Sequence, residues 1–451
     1  MNRLARAGIK LSDWFERWFP DSFVLALCAV LAVFFACLGA GATPLQTAQW
    51  FGAGFWDLMK FTLQMAMVLV CGYAVATSPA VYSLIQKLAG IPKNGRSAVA
   101  FVALFSMLTS LLSWSFSLIF SGFLAREVAH RVKGSDYRAL GAAAYMGLGS
   151  TWALGLSSSA ALIMAAPGSI PPGLMQVSGV IPLSQTLGLW QSALLAGLLI
   201  TVTVTIAAAS APPASAAKSM SDMGLAYEPV HFKSGKPTKP GEWLEHSPLL
   251  SVFLSLCGAG YLYATVRDKG LSELLELNNY IFVFWIIGLL LHWRPRSYMQ
   301  AVSASVPATA GILIQYPLYA GILKMLTESG LASSLAHLFV SASTRESYPL
   351  LVGVYSAVLG LFIPSGGGKW LIEAPYLLEA AKTLQVHLGW VVQIYNAAEA
   401  LPNLIHPFFM LPLLGILGLK ARDIVGYTAL QFVVHVPLVL FMVWALNLTL
   451  R

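Results

Sequence analysis

Eleven apolar stretches run through this chain, at about 22–38, 56–77, 97–125, 140–165, 186–209, 248–266, 279–293, 299–326, 348–382, 389–418 and 424–447. A helix of about 20 apolar residues crosses ~30 Å of hydrocarbon, and most of the stretches are near that length. A water-soluble fold has no surface behind which to hide them, because only 10% of the 451 residues are charged and 57% are apolar. The chain reads as an all-α polytopic membrane protein with about 9–11 spans. Its formal net charge of +8 could suit nucleic acid, but the basic residues are scattered in short loops between apolar runs. That is the pattern of membrane topology, so no nucleic-acid partner is expected. Cys28, Cys37, Cys71 and Cys257 all lie inside apolar runs without CxxC or Cys/His spacing. They read as small core residues, with neither a disulfide framework, a metal site nor a cofactor implied.

Loop charges assign the topology. Residues 1–20 combine Arg3, Arg6, Lys10 and Arg17 with Trp14, Phe15, Trp18 and Phe19, as expected of an amphipathic interfacial helix. The run 22–38 also fits a signal peptide ending near Ala40-Gly-Ala42, but the long aromatic segment before it favours a retained span with the N-terminus in the cytoplasm. Lys87, Lys93 and Arg96 precede the 97–125 run and Arg126, Arg131, Lys133 and Arg138 follow it, so both flanks belong on the cytoplasmic side. The run is too short for two crossings and is read as a re-entrant hairpin with its tip at Ser113–Ser117. The run 348–382 is a second hairpin, entered from outside, with its tip at Pro364–Gly368. Residues 21–209 and 248–451 are then two membrane repeats, joined by a Pro/Ser/Lys-rich cytoplasmic linker, 210–247, that carries Lys218, Lys233, Lys236 and Lys239.

A shift of 251 residues sets Ser113–Ser117 on Pro364–Gly368 and 141–166 on 392–417. Each copy holds an amphipathic connector, a hairpin, a polar-interrupted helix and a plain apolar helix. Because the copies start on opposite sides of the membrane, they form an inverted repeat, an arrangement that many secondary transporters use to build a site near the midplane.

The candidate site lies where polar residues interrupt this pattern. Three successive glycines, Gly366, Gly367 and Gly368, are costly in a helix but bring backbone N–H groups up to an anion. Their neighbour Lys369, with the hydroxyls of Ser365, Ser113, Ser115 and Ser117, could receive a carboxylate. The interrupted helices add Ser157 and Ser158 in one copy and Asn396 and Asn403 in the other, although small residues also serve close helix packing. Lys369, Glu373 and Glu399 are the ionisable groups expected at depth, where such groups mark a pathway or a pair. Lys369 and Glu373, four apart, could simply neutralise each other. Glu399 could instead be the titrating group or cation ligand that couples substrate movement to an ion gradient. A packed helix-end role is favoured for His406 over a proton carrier.

Phe362–Trp370, Gly147–Ala160 and Asn396–Phe408 together resemble the bacterial short-chain fatty acid transporter family (AtoE type), and the resemblance spans essentially the whole chain. It implies an inner-membrane uptake system for small monocarboxylates such as acetoacetate or butyrate. That family is similar to the larger ion-transporter superfamily, which implies two opposed hairpins, two broken helices, a homodimer, cation symport and an elevator-like motion. Many superfamily members bind sodium through Ser-Asn-Thr motifs at the tips. Here the tips read Ser-Phe-Ser and Ser-Gly-Gly, so sodium coupling does not carry over and proton coupling through Glu399 is preferred. The rivals are a dicarboxylate carrier, a passive anion channel and an intramembrane hydrolase. The chain lacks GxSxG and HExxH, and Ser365–Trp370 has the wrong spacing for a phosphate loop.

Overall fold

The computed structural model describes residues 2–227, 229 and 237–450, and every regular element in them is helical. Seven helices are long and apolar enough to cross a membrane, or eight if the bent pair Leu388–Leu404 and Phe408–Leu417 is one span. Counting the 16-residue apolar helix Leu277–His292 as well brings the crossings to the lower end of the expected range. The two odd runs divide into shorter arms instead. The first pair is Gly95–Ser110 and Trp114–Arg131, joined over 111–113. At ~1.5 Å per residue its 16- and 18-residue arms extend about 24 and 27 Å. Asn94 caps the first arm by accepting from Ser97 N, and Ser113 caps the second by accepting from Phe116 N. The second pair is Tyr348–Gly360 and Gly366–Thr383, with Ser365 in the equivalent capping role. In both pairs, therefore, a serine stops the turn and starts the returning arm.

The internal repeat is visible in the helix boundaries. Met59–Thr77 and Ala310–Glu328 begin 251 residues apart and are both 19 residues long. The connectors Pro79–Leu88 and Leu331–Ser341, the two helix pairs, and the helices Tyr137–Met146 and Leu388–Glu399 follow in the same order at close to that shift. The plain helical ends Ser159–Ala165 and Leu411–Leu417 complete each copy. The core sits where the interrupted helices cross, since nearly every side chain over 137–154 and 390–404 is buried.

Some expectations need correction. The amphipathic helix Arg3–Trp18 does not rest on lipid alone. Gly426 lies so close to it that a Cβ there would fall 2.3 Å from Ser12 Cα, and the helix packs along the long span Ala421–Asn447. Cys28 and Cys257 are exposed on outward faces, whereas Cys37 and Cys71 are core residues as expected. Burial of charge is also wider than foreseen. Asp136 and Arg138 are nearly inaccessible and paired at 3.0 Å, and Arg138 Nη1 reaches Asp13 and Glu16 of the N-terminal helix. Glu127 is likewise buried, accepting from the hydroxyls of Tyr82 and Tyr227. Within the linker expected over 210–247, Lys233 and Lys236 lie outside the described residues.

Candidate functional site

The first interrupted helix loosens because its glycines admit another backbone. It passes from Tyr137–Met146 through a π-helical turn, Gly147–Thr151, and a 3-10 turn, Trp152–Leu154, before resuming at Ser159–Ala165. A Cβ at Gly147 would lie 2.3 Å from the Ser106 carbonyl oxygen, and one at Gly155 2.2 Å from that of Leu111. Glycine is what lets the first hairpin's arm and turn press directly on the break. Ser106 Oγ accepts from Gly147 N at 2.9 Å, and Ser157 Oγ donates to the Ser110 carbonyl at 2.6 Å. The second interrupted helix bends by 76° around Pro402 and Pro407. Asn403 Nδ2 donates across to the Leu148 carbonyl at 3.2 Å, tying the two interruptions together.

The glycine turn of the second hairpin rests on the same short segment. A Cβ at Gly366 would lie 2.5 Å from the Trp152 ring, and one at Gly367 3.2 Å from Ser159 Cβ. Tyr395 OH donates to the Gly366 carbonyl at 2.5 Å, which fixes the turn from the side of the second interrupted helix. Residues 152–159 are thus met by one hairpin at Leu111 and by the other at Gly366 and Gly367. The opening N–H groups of a helix have no intrahelical acceptor. Ser365 Oγ takes only that of Gly368, at 3.2 Å. Gly368 is exposed while Ser365 and Gly367 are partly so, and an anion could approach these donors from the open side.

Lys369 points away from that opening, into its own hairpin. It is fully buried, donates to the Ser356 carbonyl at 2.7 Å, and stands 3.8 Å from Glu373 Oε1 and 4.8 Å from the centre of the Tyr395 ring. Ser356 Oγ in turn donates to Glu373 Oε2 at 2.7 Å. A Cβ on Gly360 would lie 3.3 Å from Lys369 Nζ and 3.7 Å from the Glu399 carbonyl oxygen, so the ammonium sits at the negative end of the helix Leu388–Glu399. Glu399 is buried and its Oε2 has no hydrogen-bond partner, nor have Glu373 Oε1 and the indole nitrogens of Trp152 and Trp370. One ammonium is therefore buried beside the Glu373 carboxyl, while the buried carboxyl of Glu399 on the neighbouring helix has no salt bridge among the described residues.

The other expected residues divide by position. Ser113 Oγ lies 3.3 Å from Ser115 Oγ and donates to Tyr280 OH at 3.0 Å, keeping these two at the first tip. Ser117 is not at the tip: it sits inside the returning arm and donates to the Ser106 carbonyl at 2.6 Å. Ser158 Oγ donates to Asn396 Oδ1, Asn396 Nδ2 to Gln393 Oε1, Gln393 Nε2 to Ser192 Oγ, and Ser192 Oγ to the Thr186 carbonyl. This chain of buried amides and hydroxyls, like Asn403, pins elements together in the state described. His406 is packed against Tyr319 and accepts from Phe408 N, the role favoured from sequence. Ser159, the end of the serine-rich stretch 157–159, lies at the site, and so do Trp152, Ser356, Gln393 and Tyr395, which sequence reasoning did not single out. Of these, Trp152 and Tyr395 carried a signal, being large aromatics beside helix-breaking residues. Among the described residues no group of three His, Cys, Asp or Glu side chains could hold a metal ion.

The sequence matches the family described as "Short chain fatty acid transporter" over residues 3–447. A relative from Escherichia coli (strain K12) is 36% identical over 434 residues, covering 95% of this chain and 97% of the relative. One from Haemophilus influenzae is 32% identical over 437 residues, with 95% and 97% covered. Both bear the name "Putative short-chain fatty acid transporter". Among solved structures, the YdaH transporter of Alcanivorax borkumensis aligns with a TM-score of 0.46 at 17% identity, over 95% of this chain and 98% of that one. MtrF of Neisseria gonorrhoeae, described with a class of antimetabolite efflux pumps, aligns at 0.44 and 12%, over 96% and 97%. Neither likeness is close enough to carry an argument about this site. The extent of the family match and the identity to both relatives set the hydrolase reading aside: this chain belongs to the short-chain fatty acid transporter family.

Proposed function

We propose that the chain is a secondary active transporter that takes up small monocarboxylates, of the size of acetoacetate or butyrate, by alternating access. The observation that carries this reading is the convergence of both hairpin turns on the break at 152–159. A substrate carboxylate accepts from the N–H groups of Gly366 and Gly367, with Ser365 and Ser159 alongside, while Ser113 and Ser115 close the site from the first tip. The alkyl chain lies against Trp152 and Ile163, which borders Gly367 at 3.6 Å from its Cβ position. Lys369 acts one turn behind, adding its charge to the anion site without touching the substrate. Because that lysine is already shared with Glu373, a second carboxylate would find no second cation, which favours monocarboxylates over dicarboxylates.

Coupling follows from the surplus carboxyl group. With Lys369 matched to Glu373, the charge on Glu399 is left uncompensated, and a proton or another cation must neutralise it whenever the site is closed. We assign that role to Glu399, with the proton preferred over sodium. Symport by an elevator-like movement of the hairpins and interrupted helices, two re-entrant hairpins in an inverted repeat, a homodimeric assembly, and an inner-membrane location with a cytoplasmic N-terminus complete the proposal. Purified protein in liposomes tests it. Uphill uptake of labelled butyrate under an imposed proton gradient supports the carrier, whereas flux that only dissipates the butyrate gradient assigns a channel.

A further inference from the structure

A crevice of about 410 Å³ opens at the end of the bundle that carries the N-terminal helix, away from the hairpin turns. Three elements frame it. They are the start of the span Ser22–Gly39, the 3-10 break Val306–Thr309 before the helix Ala310–Glu328, and the turn joining Leu411–Leu417 to Ala421–Asn447. Its polar lining is of mixed sign. Lys420 and Arg422 stand on one side, and neither joins a salt bridge among the described residues. Asp21 stands on the other, using Oδ1 to cap its own helix at Phe23 N. Gln315, also in the lining, is 6% exposed. Its Nε2 donates to Ser22 Oγ at 3.1 Å, and its Oε1 has no partner although it is buried. A buried acceptor left unpaired costs free energy unless a ligand or solvent donor meets it.

This lining selects a ligand. Two cations suit a phosphate, but a purely anionic ligand would face Asp21 and would offer nothing to Gln315 Oε1. A headgroup with a phosphodiester and a primary ammonium satisfies both sides, because the ammonium donates to the carboxylate and the amide oxygen. A quaternary ammonium has no N–H and cannot. The surroundings favour a lipid over a soluble phosphate. From the crevice, the outward faces of the two framing spans continue as exposed apolar surface, through Phe23, Val24 and Leu27 on one and Leu313 and Ile314 on the other. Acyl chains can follow that surface into the bilayer while the headgroup stays at the basic rim.

We propose that this crevice binds the headgroup of phosphatidylethanolamine, with phosphate at Lys420 and Arg422 and ammonium at Asp21 and Gln315. The site is independent of the transport site and stands whether or not that reading holds. Most of its lining comes from residues 307–422, where a Cβ on Gly415 would lie 2.7 Å from Ala308 Cβ.

Native mass spectrometry of the full chain in mild detergent tests it, using phosphatidylethanolamine, phosphatidylcholine and phosphatidylglycerol of identical acyl chains. The expected result is one phosphatidylethanolamine held per chain in preference to the other two. Replacing both Lys420→Gln and Arg422→Gln should weaken that retention about thirtyfold, on the usual scale for two interfacial cations. Asp21→Asn keeps the helix cap and should leave the lipid-free melting temperature unchanged while erasing the preference over phosphatidylcholine. Equal retention of phosphatidylcholine by the unaltered protein overturns the proposal. Displacement of the lipid by equimolar free phosphoethanolamine overturns the lipid source and assigns the crevice to a soluble phosphate.

Discussion

Removing the Lys369 ammonium separates its structural role from its transport role. In Lys369→Met the side-chain volume is nearly kept, but Glu373 loses the cation 3.8 Å from its Oε1 and retains only the hydroxyl of Ser356. Stranding one member of a fully buried pair typically costs about 3–5 kcal/mol, and the total stability of a domain is only about 5–15 kcal/mol. The single variant should therefore melt well below the unaltered protein. Adding Glu373→Gln removes the stranded charge while keeping an acceptor for Ser356, and should bring stability back to within about 1 kcal/mol. Melting in detergent reads the first quantity, and uptake of labelled butyrate into liposomes reads the second. The double variant should be stable but should have lost most butyrate uptake, because the ammonium one turn behind Gly366 and Gly367, nearer the turn in sequence than its Glu373 partner, is gone. Full uptake by the double variant would reduce the lysine to a salt-bridge partner, and an unchanged melting temperature in the single variant would refute the energetics.

Other expected outcomes are as follows. Glu399→Gln should leave butyrate exchange intact but remove acceleration of uptake by an imposed proton gradient, and a variant still driven by the gradient would move coupling elsewhere. Gly366→Ala places a methyl 2.5 Å from the Trp152 ring and should cost about 1–3 kcal/mol through overpacking together with much of the uptake, with Trp152→Leu partly restoring both. Unaltered uptake in Gly366→Ala would mean that this contact opens during transport. The Glu16 carboxyl is held below its ordinary value of 4.5 chiefly by its hydrogen bond with Lys218, against a smaller opposing effect of burial. A depressed carboxyl contributes stability above its unfolded-state pKa and loses it as pH falls through the folded-state value. Amide exchange of the N-terminal helix should accordingly speed up below about pH 4.5, by no more than the roughly 1 kcal/mol of a part-exposed pair, and Glu16→Gln should abolish that pH dependence.

The fold was legible where the sequence departs from a plain membrane helix. Like-signed loops flanking a run too short for two crossings identified the first helix pair, the glycine-rich tip and the running topology identified the second, and glycine and proline located both interrupted helices. The 251-residue shift was legible because the order and length of elements recur even where identities do not. Depth of charge was less so. Arg138 and Asp136 look like loop residues beside an apolar run, and they are met in the fold by the N-terminal helix at Arg138 and by the Lys218 backbone at Asp136. The orientation of Lys369 was also hidden. Four-residue spacing to Glu373 admitted a pair, yet the direction of the ammonium depends on Ser356 and Tyr395, which come from the other arm and from another helix. Likewise Ser117 and Ser158 carry hydroxyls suited to a ligand, and their carbonyl and amide partners are set by tertiary packing.

The most direct test of the transport site uses a cysteine at Gly367. The added Cβ would lie 3.2 Å from Ser159 Cβ, so a small shift accommodates it, and the residue borders the open side of the turn. The variant should be labelled by a small water-soluble thiol reagent, and butyrate should protect it in proportion to occupancy while an uncharged alcohol of the same length should not. Labelling that proceeds at the same rate under saturating butyrate, in protein that still transports it, would contradict a carboxylate bound at this turn.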